Sequence, residues 1–163
     1  MIKILFFGDI IGKIGRKGLA AVLPELKEKY QPDLVLANAE NLSHGNGATE
    51  KTIREMRLAG LDAFTSGNHI WDKKKEILGL LASQEIPILR PLNYPPGAEG
   101  RGDIVLTTPN QKKILLLNAM GRVFFKETLD CPFRAIDAAL KSYEKEKLDG
   151  IMVDFHAEAT SEK

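Results

Sequence analysis

Cysteine is nearly absent: Cys131 is the one thiol in 163 residues. It has no partner within the chain, so an internal disulfide is excluded, and a reducing cytosol suits it. Long apolar runs are missing too, with none approaching the ~20 residues that span a bilayer. Only Met1 to Phe7 precede the first glycine, Gly8, which is too little for the apolar core of a signal peptide. These absences lead to the expectation of a soluble, cytoplasmic protein with no membrane partner. An excess of one charge is also lacking. The 23 Lys and Arg offset 22 Asp and Glu, for a net charge of +1. No long basic stripe points to nucleic acid, although a diffuse basic site for a nucleotide is left open.

What is present is ordinary for a globular chain, with 44% hydrophobic and 28% charged residues. The length suits a single domain over 1–163 with a substantial core. Short apolar runs alternate with helical periodicity. Buried strands are predicted over 2–8, 33–38, 62–66, Ile86 to Leu89 and 149–155, with a hairpin of 103–108 and 113–119 around Pro109-Asn110-Gln111-Lys112. Helices are predicted over 16–30, after a turn at Gly8, Gly12 and Gly15, and from Thr49-Glu50 to about Leu58 with a stop at Gly60. Two more are predicted, Ile70 to Leu81 with Asp72 as N-cap, and Pro132 to Glu146, with a long loop over Arg90 to Gly102. The order argues for an α/β fold with a largely parallel, doubly covered sheet and antiparallel additions. Thr160-Ser161-Glu162-Lys163 reads as the first turn of a helix. One turn cannot nucleate alone, so the domain is expected to be incomplete at its C-terminal end.

Four polar clusters fall where strands should end: Gly8-Asp9, Asn38-Ala39-Glu40-Asn41, Gly67-Asn68-His69 and Asp154-Phe155-His156. Open α/β sheets bind ligands beyond the carboxyl ends of their strands. Each cluster has a plain structural reading. Asp9 suits an Asx-turn or a helix cap, and Glu40-Asn41 a solvated strand end. Asn68-His69 suits a tight turn, and His156 a structural histidine whose tautomer a nearby carboxylate would fix. Four strands delivering donors at one end is harder to ascribe to accident. Together the carboxylates, amides and imidazoles suit a pair of divalent metals, and a metal pair suits hydrolysis of phosphate esters. Outside the clusters, His44 reads as a solvated loop residue and Trp71 as a packing residue. Lys13 and Arg16 flank the first glycine turn and read as an anion contact or as surface charges, and Asn118 and Arg122 are weak site candidates.

The four clusters, with Phe7-Gly8-Asp9-Ile10-Ile11-Gly12 and Met120-Gly121-Arg122-Val123-Phe124, resemble the YmdB-like metallophosphoesterases, a branch of the calcineurin-like phosphoesterase superfamily. The resemblance runs through all 163 residues in order. It implies a calcineurin-like α/β/β/α sandwich whose C-terminal part is missing from this chain, built around two divalent metals, iron first, with manganese or zinc as alternatives. Carried over by position, Asp9 and Asn41 bind one metal, Glu40 bridges both, and Asn68 and His156 bind the second. His69 is the catalytic proton donor. The implied activity is a phosphodiesterase acting on cyclic nucleotides, including the 2′,3′-cyclic class. The wider superfamily carries Asp-x-His at the first strand where this chain has Asp9-Ile10-Ile11, a loss shared with the YmdB-like branch. The family also carries a Gly-x-His-x-His motif beyond His156, and this chain has no histidine there. Two rivals stand beside this reading. A Rossmann-type nucleotide-binding module is suggested by Gly8, Gly12 and Gly15, although the spacing departs from the dinucleotide fingerprint and from a P-loop. A catalytically inactive fragment acting in assembly is suggested by the missing histidines. Homo-oligomerisation is left open.

Overall fold

A computed structural model describes all residues, Met1–Lys163. Leu34-Val35-Leu36-Ala37 carries no polar residue on either face, so it must be covered from both sides. It forms most of β2 (Leu34–Asn38), every position of which is buried. β2 lies between β1 (Ile4–Asp9) and β3 (Ala63–Thr65), with both pairings parallel. Side chains alternate along a strand, and the alternation here feeds two separate cores. Val35 and Ala37 join Leu19, Leu23, Ile53, Met56, Ile77 and Phe64 in a core beneath the helices. Leu34 and Leu36 join Ala63, Leu89, Leu106, Ile114 and Leu116 in a second core.

That second core faces a second sheet. β4 (Asp103–Thr107) and β5 (Lys113–Met120) form the expected hairpin, and β6 (Gly150–His156) pairs parallel to β5. The strands therefore divide into two three-stranded sheets, where periodicity alone suggested one. A sequence pattern reports that a strand is buried, not which strand lies beside it. The helices are α1 (Gly12–Tyr30), α2 (Glu50–Ala59), α3 (Lys74–Ser83) and α4 (Pro132–Ser142). α4 lies on β5, and its Phe133 ring stacks on Phe155 of β6 at 5.9 Å.

Several boundaries moved for identifiable reasons. α1 starts at Gly12 rather than 16, so Gly12 and Gly15 belong to the helix and not to a turn before it. A Cβ on Gly15 would stand 3.1 Å from the Ile10 Cγ2, so the small residue lets the helix close onto the strand end. Asp9 does not cap this helix; Ile11 holds the N-cap position without a side-chain bond. α2 follows the expectation, with Thr49 and Thr52 capping reciprocally and Gly60 at φ +114° ending it. The predicted helix over Ile70 to Leu81 divides into a 3₁₀ turn, Asn68–Trp71, and α3. Asp72 is not the N-cap of α3, a position Lys73 holds; it closes the 3₁₀ turn, and its carboxylate accepts from the His69 ring. Ile86 to Leu89 makes two isolated bridges, to Phe64 and Arg101, instead of a strand. The last predicted helix stops at Ser142, four residues short of Glu146. Thr160–Glu162 forms a 3₁₀ turn.

Candidate functional site

The strands of the first sheet run the same way, so Asp9, Asn38 and Thr65 end at one edge. β5 and β6 also run together and end at Met120 and His156. Side-chain bonds knit the two edges into one rim. His156 Nδ1 lies 3.2 Å from Glu40 Oε1, and its Nε2 lies 3.2 Å from Asn68 Oδ1. Asn41 Nδ2 donates to Asp9 Oδ2 at 2.7 Å. The His69 backbone N–H points to Glu40 Oε2 at 3.4 Å, and its ring Nδ1 bonds Asp72 Oδ2 at 2.7 Å. The six residues singled out from sequence, Asp9, Glu40, Asn41, Asn68, His69 and His156, are thus neighbours.

The electrostatics of this rim are unusual. Glu40 is 2% exposed, and no lysine or arginine pairs with it, with Asp9 or with Asp154. Burial, with Asp9 and Asp154 nearby, pushes the Glu40 carboxyl up to about 7 despite the opposing His69 N–H. Burial also lowers the His156 imidazole, against the pull of Asp154, Glu158 and Asp9. A neutral imidazole has one N–H, yet both His156 nitrogens face oxygens. Asn41 Oδ1 is buried without any partner. The rim therefore holds more lone pairs than donors to meet them. Gly67 allows this crowding, since a Cβ there would lie 2.8 Å from both Glu40 Cδ and His156 Cδ2. No trio of histidine, cysteine, aspartate or glutamate side chains forms an ion-sized cage; the amides of Asn41 and Asn68 sit among the charged donors.

The carboxylate beside the His156 ring is Glu40, while Asp154 Oδ2 accepts from the Thr65 hydroxyl and from Asn38 Nδ2. Asn38 Oδ1 in turn accepts from the Glu40 backbone N–H at 3.0 Å, fixing the chain where the carboxylate leaves the strand. Asn118, a weak site candidate, is a fully buried clamp that bonds both the N–H and the C=O of Ser66 across the sheets. Polar residues inside apolar runs were the available signal for Thr65, Asn38 and Asn118. His44 is exposed, at φ +58°, and makes none of the rim's side-chain bonds; its ring Nδ1 meets the Ser43 hydroxyl. Arg16 is a structural cation, holding Glu55 and the Leu42 carbonyl. The Arg122 side chain takes no part in the rim's bonds; its backbone N–H meets Glu162. Trp71 packs edge-on against Tyr94 at 5.6 Å. The glycine-rich turn of a dinucleotide site does not form, because Gly12 and Gly15 lie within α1.

Carboxylates, amides and imidazoles gather at the carboxyl edge of parallel strands, the place where open α/β sheets bind ligands. Residues 5–163 match the family described as YmdB-like protein, and the chain belongs to it. It is 42% identical over 162 residues to a Bacillus subtilis (strain 168) protein named 2′,3′-cyclic-nucleotide 2′-phosphodiesterase, covering 99% of this chain and 59% of that protein. Among solved structures it resembles a hypothetical protein from Thermus thermophilus, with 42% identity and a TM-score of 0.88, over 99% of this chain and 60% of that one. It also resembles a novel phosphatase from Mycoplasma pneumoniae, with 36% identity and a TM-score of 0.86, over 99% of this chain and 57% of the other. The chain thus spans less than two thirds of the length of these relatives.

Proposed function

We propose that this chain carries the metal- and substrate-binding rim of a cytoplasmic, metal-dependent phosphodiesterase that hydrolyses 2′,3′-cyclic nucleotides, with 3′,5′-cyclic nucleotides as a second substrate. The observation that carries the proposal is the surplus of lone pairs around Glu40, Asn41, Asn68 and His156, with no lysine or arginine to meet it. Such a donor set fits hard or borderline divalent cations, and the unpartnered Asn41 Oδ1 fits a ligand oxygen. Asp9 and Asn41 would hold one cation, Asn68 and His156 a second, with Glu40 between them. When bound, a cation pair lowers the pKa of a bound water toward about 7 and neutralises charge on the phosphate. The relative named 2′,3′-cyclic-nucleotide 2′-phosphodiesterase supports the substrate class. The helix-covered first sheet, the second sheet and α4 support an α/β/β/α layering.

The chain's own residues divide the remaining work. The buried Glu40 carboxylate, fixed through Asn38 and His69, is held ready without solvent to shield it. The Asp72 carboxylate accepts from His69 Nδ1, which orients the ring and leaves Nε2 unengaged. His69 lines a cleft of about 440 Å³ beside the rim. From there a protonated Nε2 would deliver its proton to the departing ribose oxygen. The test is a pair of measurements on wild type and His69→Ala. The variant is expected to retain its bound metal and lose about 10²–10⁴-fold in turnover of a 2′,3′-cyclic nucleotide. A wild-type protein that takes up no divalent metal would overturn the proposal, and a metal-free His69→Ala would overturn the role given to His69.

A further inference from the structure

Phe124 is a large aromatic residue that nothing in the chain covers. It is 83% exposed, and its backbone adopts φ +70°. That left-handed conformation is unfavourable for a bulky L-residue and persists only where the surroundings impose it. The chain on either side does impose it. The Glu162 carboxylate accepts the backbone N–H groups of Arg122 at 2.9 Å and Val123 at 3.0 Å. On the other side, the Phe125 ring packs against the His156 imidazole, with centroids 5.6 Å apart. The residues on both sides of Phe124 are thus held in place. It lines the same cleft as Asn68, His69, Asp72 and Lys126. A cleft of about 440 Å³ falls within the range that small ligands occupy.

We propose that Phe124 is the stacking platform for the base of the nucleotide substrate. The inference rests on the phosphodiesterase reading above and adds to it the means of holding the nucleoside. An exposed π-face beside a phosphate site binds any base, and purines more strongly because they offer the larger face. Lys126 also lines the cleft, with Glu127 and Glu158. Stacking acts on the ground state and the transition state alike, so it is expected in KM rather than kcat.

The test compares binding of adenosine 3′-monophosphate with its base-free ribose phosphate counterpart by titration calorimetry, in wild type, Phe124→Ala, Phe124→Leu and Phe124→Trp. Wild type is expected to prefer the nucleotide. Phe124→Ala and Phe124→Leu should lose about tenfold in affinity for it and nothing for the base-free ligand, the size of one lost stack. Phe124→Trp should restore it. The Leu variant separates loss of the π-face from loss of apolar bulk. In turnover of 2′,3′-cyclic AMP, Phe124→Ala should raise KM about tenfold at nearly constant kcat. Equal losses for both ligands, an unchanged nucleotide affinity in Phe124→Ala, or no wild-type binding of either ligand would overturn the proposal. A wild type that hydrolyses cyclic nucleotides without base preference would sink the stacking role alone. One that prefers the nucleotide yet hydrolyses nothing would sink the phosphodiesterase reading alone.

Discussion

Replacing Glu40 by Gln should stabilise the metal-free protein while abolishing its response to metal. Glu40 is a buried carboxylate with no lysine or arginine beside it, and its pKa stands at about 7 against an ordinary 4.5. A raised carboxyl means that the folded protein keeps a proton that the unfolded chain has already lost. Stability therefore falls as pH rises from 4.5 to about 7, and the full penalty is present above that window. Its size is roughly 3 kcal/mol. Gln keeps the shape of the side chain and removes the ionisation. In EDTA at pH 8, Glu40→Gln should thus melt roughly 6–12 °C above wild type, at 2–4 °C per kcal/mol for a domain of this size. Near pH 5 the gain should fall to roughly a quarter of that. The neighbouring imidazole of His156, lowered by burial, contributes stability above its ordinary range that is lost on acidification. It is present in both proteins, so comparison at each pH isolates Glu40 to first order. Calorimetric scans at pH 5, 6.5 and 8 give the answer. A variant no more stable than wild type at pH 8, or a gain that does not grow with pH, would refute the reasoning. Adding a divalent metal at about 100 times its Kd should then stabilise wild type by about 2.7 kcal/mol and leave the variant where it was.

Two further substitutions probe how the rim is built. Gly67→Ala would place a methyl 2.8 Å from Glu40 Cδ and from His156 Cδ2. The carboxylate and imidazole must separate, at a cost of about 1–3 kcal/mol in stability and roughly 10–100-fold in metal affinity, measurable by thermal melting and metal titration. A variant with wild-type affinity would show that the close packing around Gly67 is incidental. Asn118→Leu strips both backbone bonds from Ser66, which is buried. It should cost about 2–6 kcal/mol in denaturant unfolding, since each of the two orphaned buried groups costs about 1–3. A cost below about 1 kcal/mol would mean that the two sheet edges do not depend on this clamp.

The sequence by itself determined which segments are buried and where polar residues interrupt them. Leu34 to Ala37 can only be a strand covered on both faces, because it has no polar side to turn to water. Thr49 and Gly60 set the limits of α2 through local bonding and backbone freedom, which operate within a few residues. The donors Asp9, Glu40, Asn41, Asn68, His69 and His156 were visible for the same reason: charge and amides at the end of an apolar run are conspicuous wherever they occur. What the sequence could not decide is every relationship that depends on chain segments far apart. Asp72 looks like a cap until the 3₁₀ turn brings His69 onto it, and a carboxylate bonds the nearest strong donor. Which carboxylate meets His156 is open in the sequence until the second sheet docks, bringing His156 to Glu40 and Asp154 to Thr65 and Asn38. The division into two sheets, the crowding that Gly67 permits and the raised carboxyl of Glu40 all arise from that docking. Burial, desolvation and the count of unmatched lone pairs are properties of a folded volume, and no stretch of chain carries them alone.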